Sequence, residues 1–267
     1  MKRFYALGLF LLCYVIAAAL LPAATHAAEV GCRPETANNR PRVVRASLGE
    51  KEIRLNFIGH ASFLIETPAG VRAVTDYNDY VRANVTPDIA TMNKAHSTHF
   101  SRAPEQGIAH VLPGWNPNGG KAEHDITLRD LRVRNVSTNI RTFDRGHTEY
   151  DGNSIFIFEF GDLCVIHLGH LHHTLEKDHI RAIGRADIVL VPVDSGFTMD
   201  IEGMMEVLQS LSPRVIIPMH FFGQSTLEKF IRLGSDKYLI DRRYEPTATF
   251  SRDTLPDKPT MVVLPGR

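Results

Sequence analysis

Hydrophobic and polar residues alternate along several stretches of the first half of the chain, which is typical of β-strands with one buried face. This alternation predicts strands over residues 52–58, 61–66, 71–75, 87–92, 126–136 and 153–160. Nearly continuous apolar runs predict strands covered on both faces over residues 163–166, 187–193 and 214–219. Apolar spacings of three and four predict helices over 176–183, 201–211 and 226–233, the last capped by Ser225.

The order of these elements indicates the fold class. Strands dominate the first half of the chain, and strands alternate with helices in the second half. The sequence shows no internal repeat and no low-complexity linker. A single layered α/β domain over residues 43–267 follows from this order.

The N-terminal segment differs from the rest of the chain. Lys2 and Arg3 precede an apolar run from Phe4 to Leu21, and small residues follow up to Ala27. This layout predicts a signal peptide over residues 1–27 and a periplasmic or secreted protein, with an uncleaved anchor as the alternative. Residues 28–42 are rich in Pro, Asn and Arg and predict a flexible arm.

Composition excludes several classes of protein. With 30 basic and 30 acidic residues the chain has no positive surplus and no Lys/Arg run, so nucleic acid is not an expected partner. After the signal there is no second apolar span, and we expect no integral membrane domain. A disulfide between Cys32 and Cys164 is permitted outside the cytoplasm, but Cys164 in its apolar run fits equally well as a packed side chain.

The chain holds 13 histidines, and many of them follow predicted strands. Residues 165–173 read Val-Ile-His-Leu-Gly-His-Leu-His-His, and the other strand-end histidines are His96, His99, His147 and His220. Strand ends at one rim of a layered domain converge, and histidine is a common neutral ligand of zinc-like ions. The arrangement predicts a shared metal pocket, with a chance set of polar loop residues as the alternative.

Several segments, in order and spacing, resemble the metallo-β-lactamase superfamily and, within it, the branch of ascorbate-phosphate lactonase-like proteins. The matching segments are Phe57–Glu66 (FIGHASFLIE), Thr75-Asp76, Lys94–His99, His147, Gly152-Asn153, His167–His173 and Pro218–His220. They span most of the chain, from about residue 53 to residue 233. The resemblance implies a four-layered αββα sandwich with a metal site at one edge.

Three positions depart from the family's metal motifs. Where the family has His-x-His-x-Asp-His, this chain has Lys94, His96, Thr98 and His99, and the family's bridging aspartate is His170. The resemblance therefore carries over these metal ligands: His96, His99, His147 and His220, with His170 as a substituted ligand.

The departures favour one ion per chain over two. Carboxylates that offset the charge of a dinuclear site are missing, and the ammonium group of Lys94 would add another positive charge. An all-imidazole ligand set favours zinc. On this reasoning the ion lies at His99, His170 and His220, while His96 and His147 line the pocket.

One ion suffices for hydrolysis. Three neutral histidine ligands leave zinc its full charge, and an ion held in this way lowers the pKa of its bound water molecule to about 7. His173 is the expected general acid or base, and Thr98 offers the water a weaker hydrogen bond, with Lys94 beside them. Asp76 is expected to hold a ligand histidine in one tautomer, and His60 and His172 are expected to support the site from behind.

Two functions from different classes fit the sequence. The first is an exported metal-dependent hydrolase of a small ester, lactone or phosphoester. The second is a non-catalytic protein of the same fold that binds a metal or a ligand, which the changes at Lys94 and Thr98 favour. The clustered histidines favour the hydrolase. The expected partner is a small-molecule substrate in a cleft walled by residues 81–84 and 113–125, and the oligomeric state is left open.

Overall fold

The computed structural model describes residues 47–142 and 146–266. The predicted signal peptide (1–27), the arm (28–42) and Cys32 lie outside these residues, and Cys164 is a half-buried free thiol. The first half of the domain consists of strands: β1 Ile53–Gly59, β2 Ser62–Glu66, β3 Arg72–Val74, β4 Ile89–Met92, β5 His110–Pro113, β6 Asp125–Leu128, β7 Leu131–Arg141, β8 Thr148–Phe160 and β9 Leu163–His167. The second half alternates: α1 Lys177–Ile183, β10 Ile188–Pro192, α2 Ile201–Leu211, β11 Val215–Met219, α3 Gln224–Gly234, β12 Leu239–Arg242, β13 Thr247–Phe250, a 3-10 turn Arg252–Thr254 and β14 Thr260–Val263.

The strands form two sheets. One sheet has six strands in the order β13-β1-β2-β3-β4-β5, and the other has eight in the order β12-β14-β11-β10-β9-β8-β7-β6. Strands β9, β10 and β11 are parallel neighbours, with Ile188 paired to both Val165 and Val215. Their carboxyl ends therefore lie side by side at one edge of the larger sheet.

Strand β8 shows how the sequence pattern separates two cores. Phe156 and Phe158 pack between the two sheets, whereas Ile155 and Ile157 pack on the opposite face of the larger sheet. Because side chains alternate along a strand, a one-residue slip would exchange the two sets. All four side chains are fully buried, so the register of β8 is strongly specified.

Helices cover the outer face of the larger sheet. Buried residues of α2 and α3 join the second core, Met204, Leu208 and Phe230 among them. The N-cap of α2 is Asp200, whose carboxylate accepts a hydrogen bond from the backbone N–H of Gly203 at 2.7 Å. In α3 the N-cap is Gly223, so Ser225 lies inside the first turn and the prediction that it caps the helix is wrong.

Loops cover the outer face of the smaller sheet. In the described part of the chain no helix packs there; instead Tyr77, Ile108 and Trp115 pack on side chains from β1 to β4. The predicted α/β class with two packed sheets is confirmed, and its fourth layer is made of loops. Trp115 meets Phe100 within this layer, at 5.8 Å between ring centroids.

A tight turn divides one predicted strand. Residues 126–136 form the hairpin of β6 and β7, because Arg129 adopts a φ of 52°. The carboxylate of Asp130 in the same turn accepts hydrogen bonds from Thr67 Oγ1 at 2.6 Å and from the backbone N–H of Ala69 at 3.0 Å. The turn is thus tied to the opposite sheet. Among the helices described, none has the length and apolar character needed to cross a membrane.

Candidate metal centre

Five histidines meet where strand ends of the two sheets converge. His60 lies in the β1–β2 turn, His96 and His99 follow β4, His170 follows β9 and His220 follows β11. The backbone N–H of His220 donates to the carbonyl oxygen of His60 at 2.6 Å and joins the two sheets at this edge. His60 and His220 have φ values of 52° and 54°, a strained region that single residues adopt at functional sites.

His99 is held by a buried carboxylate. Its Nδ1 lies 2.5 Å from Asp76 Oδ2, and both side chains are fully buried. The other oxygen of Asp76 accepts a hydrogen bond from Asn93 Nδ2 at 2.9 Å, and Asn93 Oδ1 accepts from the backbone N–H of Ser154 at 2.8 Å. This chain of contacts fixes the ring so that Nε2 faces the cluster. Asp76 therefore contacts a site histidine at Nδ1, the position from which a carboxylate would hold the ring in one tautomer.

His220 faces a second buried carboxylate, that of Asp194 in the loop after β10. The distance between His220 Nδ1 and Asp194 Oδ1 is 3.1 Å, within ion-pair range although outside hydrogen-bond geometry. Asp194 is itself held by the backbone N–H groups of Gly196 and Phe197 and by the hydroxyl of Thr198. Burial acts to raise the pKa of Asp194, but contact with His220 and these donors hold it well below its ordinary value.

A hydroxyl group accompanies His96. Thr98 Oγ1 lies 2.8 Å from His96 Nδ1, and it accepts a hydrogen bond when that nitrogen carries the ring proton. His96 Nε2 is then the free atom, and it is buried without a hydrogen-bond partner. Thr98 therefore lies behind a site histidine, a position different from the water-binding role expected from the sequence.

His60 and His170 complete the cluster. His60 Nε2 and both ring nitrogens of His170 are buried without a hydrogen-bond partner. The His170 ring lies 4.9 Å from the ring of His99 and 5.1 Å from that of His220, measured between centroids. One ring nitrogen from each of His60, His96, His99 and His220 lies within 4.8 Å of the others. His60, expected to act only as support, thus belongs to the central group.

Burial determines the charge of these imidazoles. It lowers the pKa of His60 to about 3 and that of His96 to about 4, and proximity to His220 adds to both shifts. The pKa values of His99 and His170 lie well below the ordinary value for the same two reasons. The rings of these four histidines are therefore neutral at pH 7 and have lone pairs available to a cation.

The Nε2 atoms of His99 and His220 are close enough to share one hydrogen bond or, with a small separation, one ion. His99 Nε2 and His220 Nε2 are 3.0 Å apart. Two nitrogens that bind one zinc ion at the usual 2.0–2.1 Å lie about 3.4 Å apart at a tetrahedral angle. When both Nδ1 atoms carry protons toward Asp76 and Asp194, the two Nε2 lone pairs face each other, an arrangement that a cation between them stabilises.

Lys94 and His147 lie apart from the group of four. The side chain of Lys94 is exposed and forms an ion pair with Glu149, so its charge is offset outside the cluster. Because this charge is paired, Lys94 does not make one metal position less favourable for a cation than the other, contrary to what the sequence had suggested. His147 is exposed near the start of β8, where its backbone pairs with Thr142. The structure does not bring His147 to the pocket that the sequence assigned to it.

His172 and His173 serve a different contact. His172 Nδ1 donates to the carbonyl oxygen of Asn139 at 2.9 Å, and His173 Nε2 accepts from the backbone N–H of Asn139 at 3.2 Å. His173 Nδ1 donates to the carbonyl oxygen of Thr174 at 2.8 Å. Because both nitrogens of His173 are engaged by backbone groups, its expected role as general acid or base does not agree with the structure.

Sequence reasoning missed the carboxylate of Asp194 and two aromatic side chains at the cluster, Phe197 and Phe222. Phe222 lies 5.3 Å from the ring of His60, and Phe197 lies 6.1 Å from that of His96. The position of Asp194 could have indicated its role. It follows β10, and the two parallel neighbours of that strand, β9 and β11, are each followed by a site histidine. No comparable signal marks the two phenylalanines.

Two sheets packed face to face, with a histidine cluster where their strand ends meet, define the metallo-β-lactamase class of α/β proteins. This chain belongs to that superfamily, because the model of the β-lactamase superfamily domain matches residues 54–220, more than half of the chain. The narrower lactonase-like branch stays a prediction.

Relatives and solved structures agree with this assignment. A UPF0173 metal-dependent hydrolase from Carboxydothermus hydrogenoformans is 32% identical over 192 residues, which cover 63% of this chain and 84% of the relative. Another from Methanosarcina mazei is 22% identical over 196 residues, covering 64% and 84%. The structure of a candidate Zn-dependent hydrolase of the metallo-β-lactamase superfamily from Thermotoga maritima matches with a TM-score of 0.59 and 26% identity, covering 80% of this chain and 100% of that one.

Proposed function

We propose that this protein is an exported metal-dependent hydrolase with one zinc ion held by His96, His99 and His220. The observation that carries the proposal is the orientation of these three rings. Each has its Nδ1 beside an oxygen atom, from Thr98, Asp76 and Asp194 respectively. Ligand histidines in metalloenzymes are oriented in this way, which leaves Nε2 for the ion.

This ligand set revises the one expected from the sequence, which placed the ion at His99, His170 and His220. His170 lacks an orienting partner on either ring nitrogen, whereas His96 has Thr98. We assign His170 and His60 to positions beside the three ligands, where His60 Nε2 and both ring nitrogens of His170 are buried without a hydrogen-bond partner. Three histidines and an open position are typical of catalytic zinc sites.

When bound, zinc activates a water molecule and polarises a carbonyl or phosphoryl oxygen. The residues of the chain supply the rest. As carboxylates, Asp76 and Asp194 keep the ring protons of His99 and His220 on Nδ1. Burial raises the pKa of Asp76, and a cation held by His99 would favour its ionised form. In ester hydrolysis the oxygen of water bonds to the carbonyl carbon, the bond from that carbon to the alkoxy oxygen breaks, and a proton from water leaves with the alcohol.

The non-catalytic alternative retains one specific observation in its favour. Among the described residues, Asp76 and Asp194 are the carboxylates that contact cluster histidines, and both lie behind the rings. Within residues 47–142 and 146–266, no carboxylate joins the group of four that offers ligand atoms. A protein that binds zinc through this site and hydrolyses no ester, lactone or phosphoester would support that alternative.

Metal analysis tests the ligand assignment. Protein purified without chelator is expected to contain about one zinc ion per chain, and His96→Ala, His99→Ala and His220→Ala are each expected to contain close to none. His147→Ala is the matched control and should keep its zinc. Zinc that persists in His96→Ala and disappears in His170→Ala would refute this ligand set and restore the earlier one.

Turnover and export need separate tests. Removing zinc with a chelator should abolish hydrolysis across a panel of small esters, lactones and phosphoesters, and added zinc should restore it.

Export is supported by the basic start and apolar run of residues 1–27. N-terminal sequencing of protein from the cell envelope should give a start near Ala28, and a start that retains Lys2 would contradict cleavage.

A further inference from the structure

Two exposed phenylalanines stand beside the histidine cluster. Phe197 is 42% exposed and Phe222 is 66% exposed, although large apolar side chains are normally buried. Their rings lie 5.7 Å apart in a T-shaped arrangement. Phe222 also meets the ring of His220 at 5.6 Å. The pair therefore forms an apolar surface directly next to the proposed ligands.

The pair comes from two loops that the site itself holds in place. Phe197 belongs to the loop after β10, and its backbone N–H donates to Asp194 Oδ2 at 2.5 Å. Phe222 is two residues beyond His220, in the loop that leads into α3. The carboxylate that faces His220 thus also fixes the loop of Phe197. Asp194 therefore positions both Phe197 and the proposed ligand His220.

The charges around the cluster indicate what the pair receives. Among the described residues, the polar side-chain contacts of His96, His99 and His220 are with Thr98, Asp76, Asp194 and each other, and no lysine or arginine is among these partners. Lys94, the nearest lysine in sequence to His96, is already paired with Glu149. Sites that bind phosphate groups normally supply arginine or lysine to the phosphate oxygens.

We infer that Phe197 and Phe222 form a substrate-binding surface for the apolar group of an uncharged ester or lactone, an aryl group above all. This inference rests on the proposed zinc site and narrows its substrate class. A flat ring packs on exposed aromatic faces at little entropic cost, and such contacts favour aryl over small alkyl groups. The carbonyl of the substrate would then lie near His96 and His220, the histidines that the two rings flank.

Two small ligands test this surface without turnover. Acetohydroxamate and benzohydroxamate carry the same metal-binding group and differ only in a methyl or a phenyl substituent. With zinc-loaded protein, calorimetric titration is expected to show about tenfold tighter binding of benzohydroxamate. In Phe197→Ala and Phe222→Ala this preference should fall by about three- to tenfold, while binding of acetohydroxamate changes little.

Matched variants keep the result interpretable. Tyr244→Ala removes an aromatic ring that is 99% exposed on the turn after β12 and should leave the preference intact. Phe222→Leu keeps an apolar side chain and should retain part of it. If zinc-dependent binding persists and the preference is the same in all variants, the aromatic surface is refuted. If neither hydroxamate shows zinc-dependent binding, the proposed function fails and this inference fails with it.

Hydrolysis provides a second arm. Phenyl butyrate and phenyl phosphate share a leaving group, and kcat/KM is expected to be at least tenfold higher for the uncharged ester. Phe222→Ala should lower kcat/KM for the ester and leave the zinc content unchanged. Preference for phenyl phosphate would overturn the inferred substrate class while leaving the zinc site in place.

Discussion

The hydrogen bond between Asp76 and His99 can be reversed by one substitution. Asp76→Asn replaces a carboxylate oxygen, which accepts a hydrogen bond from His99 Nδ1, with an NH2 group, which donates one. In Asp76→Asn the side chain keeps its shape but has one acceptor in place of two. Asn93 Nδ2 requires that acceptor, since the orientation of Asn93 is fixed by the backbone N–H of Ser154. The new amide nitrogen then faces His99 Nδ1. His99 must accept at Nδ1 and carry its proton on Nε2, which removes the lone pair that would bind the ion.

The size of the effect follows from the same contacts. To bind zinc through Nε2, His99 must carry its proton on Nδ1. The Nδ1–H group then faces the amide N–H of the Asp76→Asn side chain, and this buried pair of donors costs about 1–3 kcal/mol. This range agrees with the 10–100-fold loss of metal affinity that follows the change of residues behind a ligand histidine. In the metal-free variant one amide N–H donates to His99 Nδ1 and the Nε2–H of His99 faces His220 Nε2, so the second amide N–H is the one donor left without an acceptor, and asparagine tolerates the φ of 43° at this position. An unsatisfied N–H of this kind costs about 1–3 kcal/mol, so the unfolding temperature should fall by no more than about 10 °C.

Calorimetric titration with zinc and thermal unfolding of metal-free protein together test this reasoning. Asp79→Asn is the matched control, since Asp79 is a partly exposed carboxylate close by that contacts Ser101 and Arg82. It should keep wild-type zinc affinity. Unchanged affinity in Asp76→Asn would refute the tautomer argument. A loss of affinity accompanied by strong destabilisation of the metal-free protein would refute it as well, because unfolding would then be the cause.

Three further outcomes are expected. Burial lowers the pKa of His167 to about 4 from 6.5, so the unfolded chain binds a proton more readily, and this residue alone should contribute roughly 3 kcal/mol to the stability that metal-free protein loses as pH falls from 6.5 to 4, beside the losses from His60 and His96; urea unfolding at several pH values should show a loss smaller by about that amount in His167→Gln. Gly169→Ala should destabilise the protein by about 3 kcal/mol in the same assay, because Gly169 has a φ of 61° and a Cβ atom would lie 2.5 Å from Asn153 Oδ1; unchanged stability would contradict the described packing. Lys94→Ala should keep zinc affinity within about twofold, since its ammonium group already pairs with Glu149; a marked gain in affinity would show that its charge reaches the ion.

The sequence by itself determined the elements and the kind of chemistry. Alternation and apolar runs are local properties of a strand, so β1, β2, β9, β10 and β11 follow from them within one or two residues. Histidines placed directly after strands predicted a shared pocket, and Asp76 was expected to orient one of them. Strands β12 and β13 were not predicted, although the equally short β3 and β4 were, because the sequences LIDR and TATF contain no continuous apolar run.

The tertiary structure decided which of these side chains meet. The contact of His220 with Asp194, the entry of His60 into the cluster and the Phe197–Phe222 pair all join loops from different strands. Their distances depend on how the strand ends of the two sheets converge and on single residues with positive φ, neither of which a linear pattern encodes. Likewise His147 and His173 follow the same sequence rule as the true cluster members. In the structure His147 is exposed near the start of β8 and His173 contacts the backbone of Asn139 and Thr174, because neighbours along the chain do not determine neighbours in space.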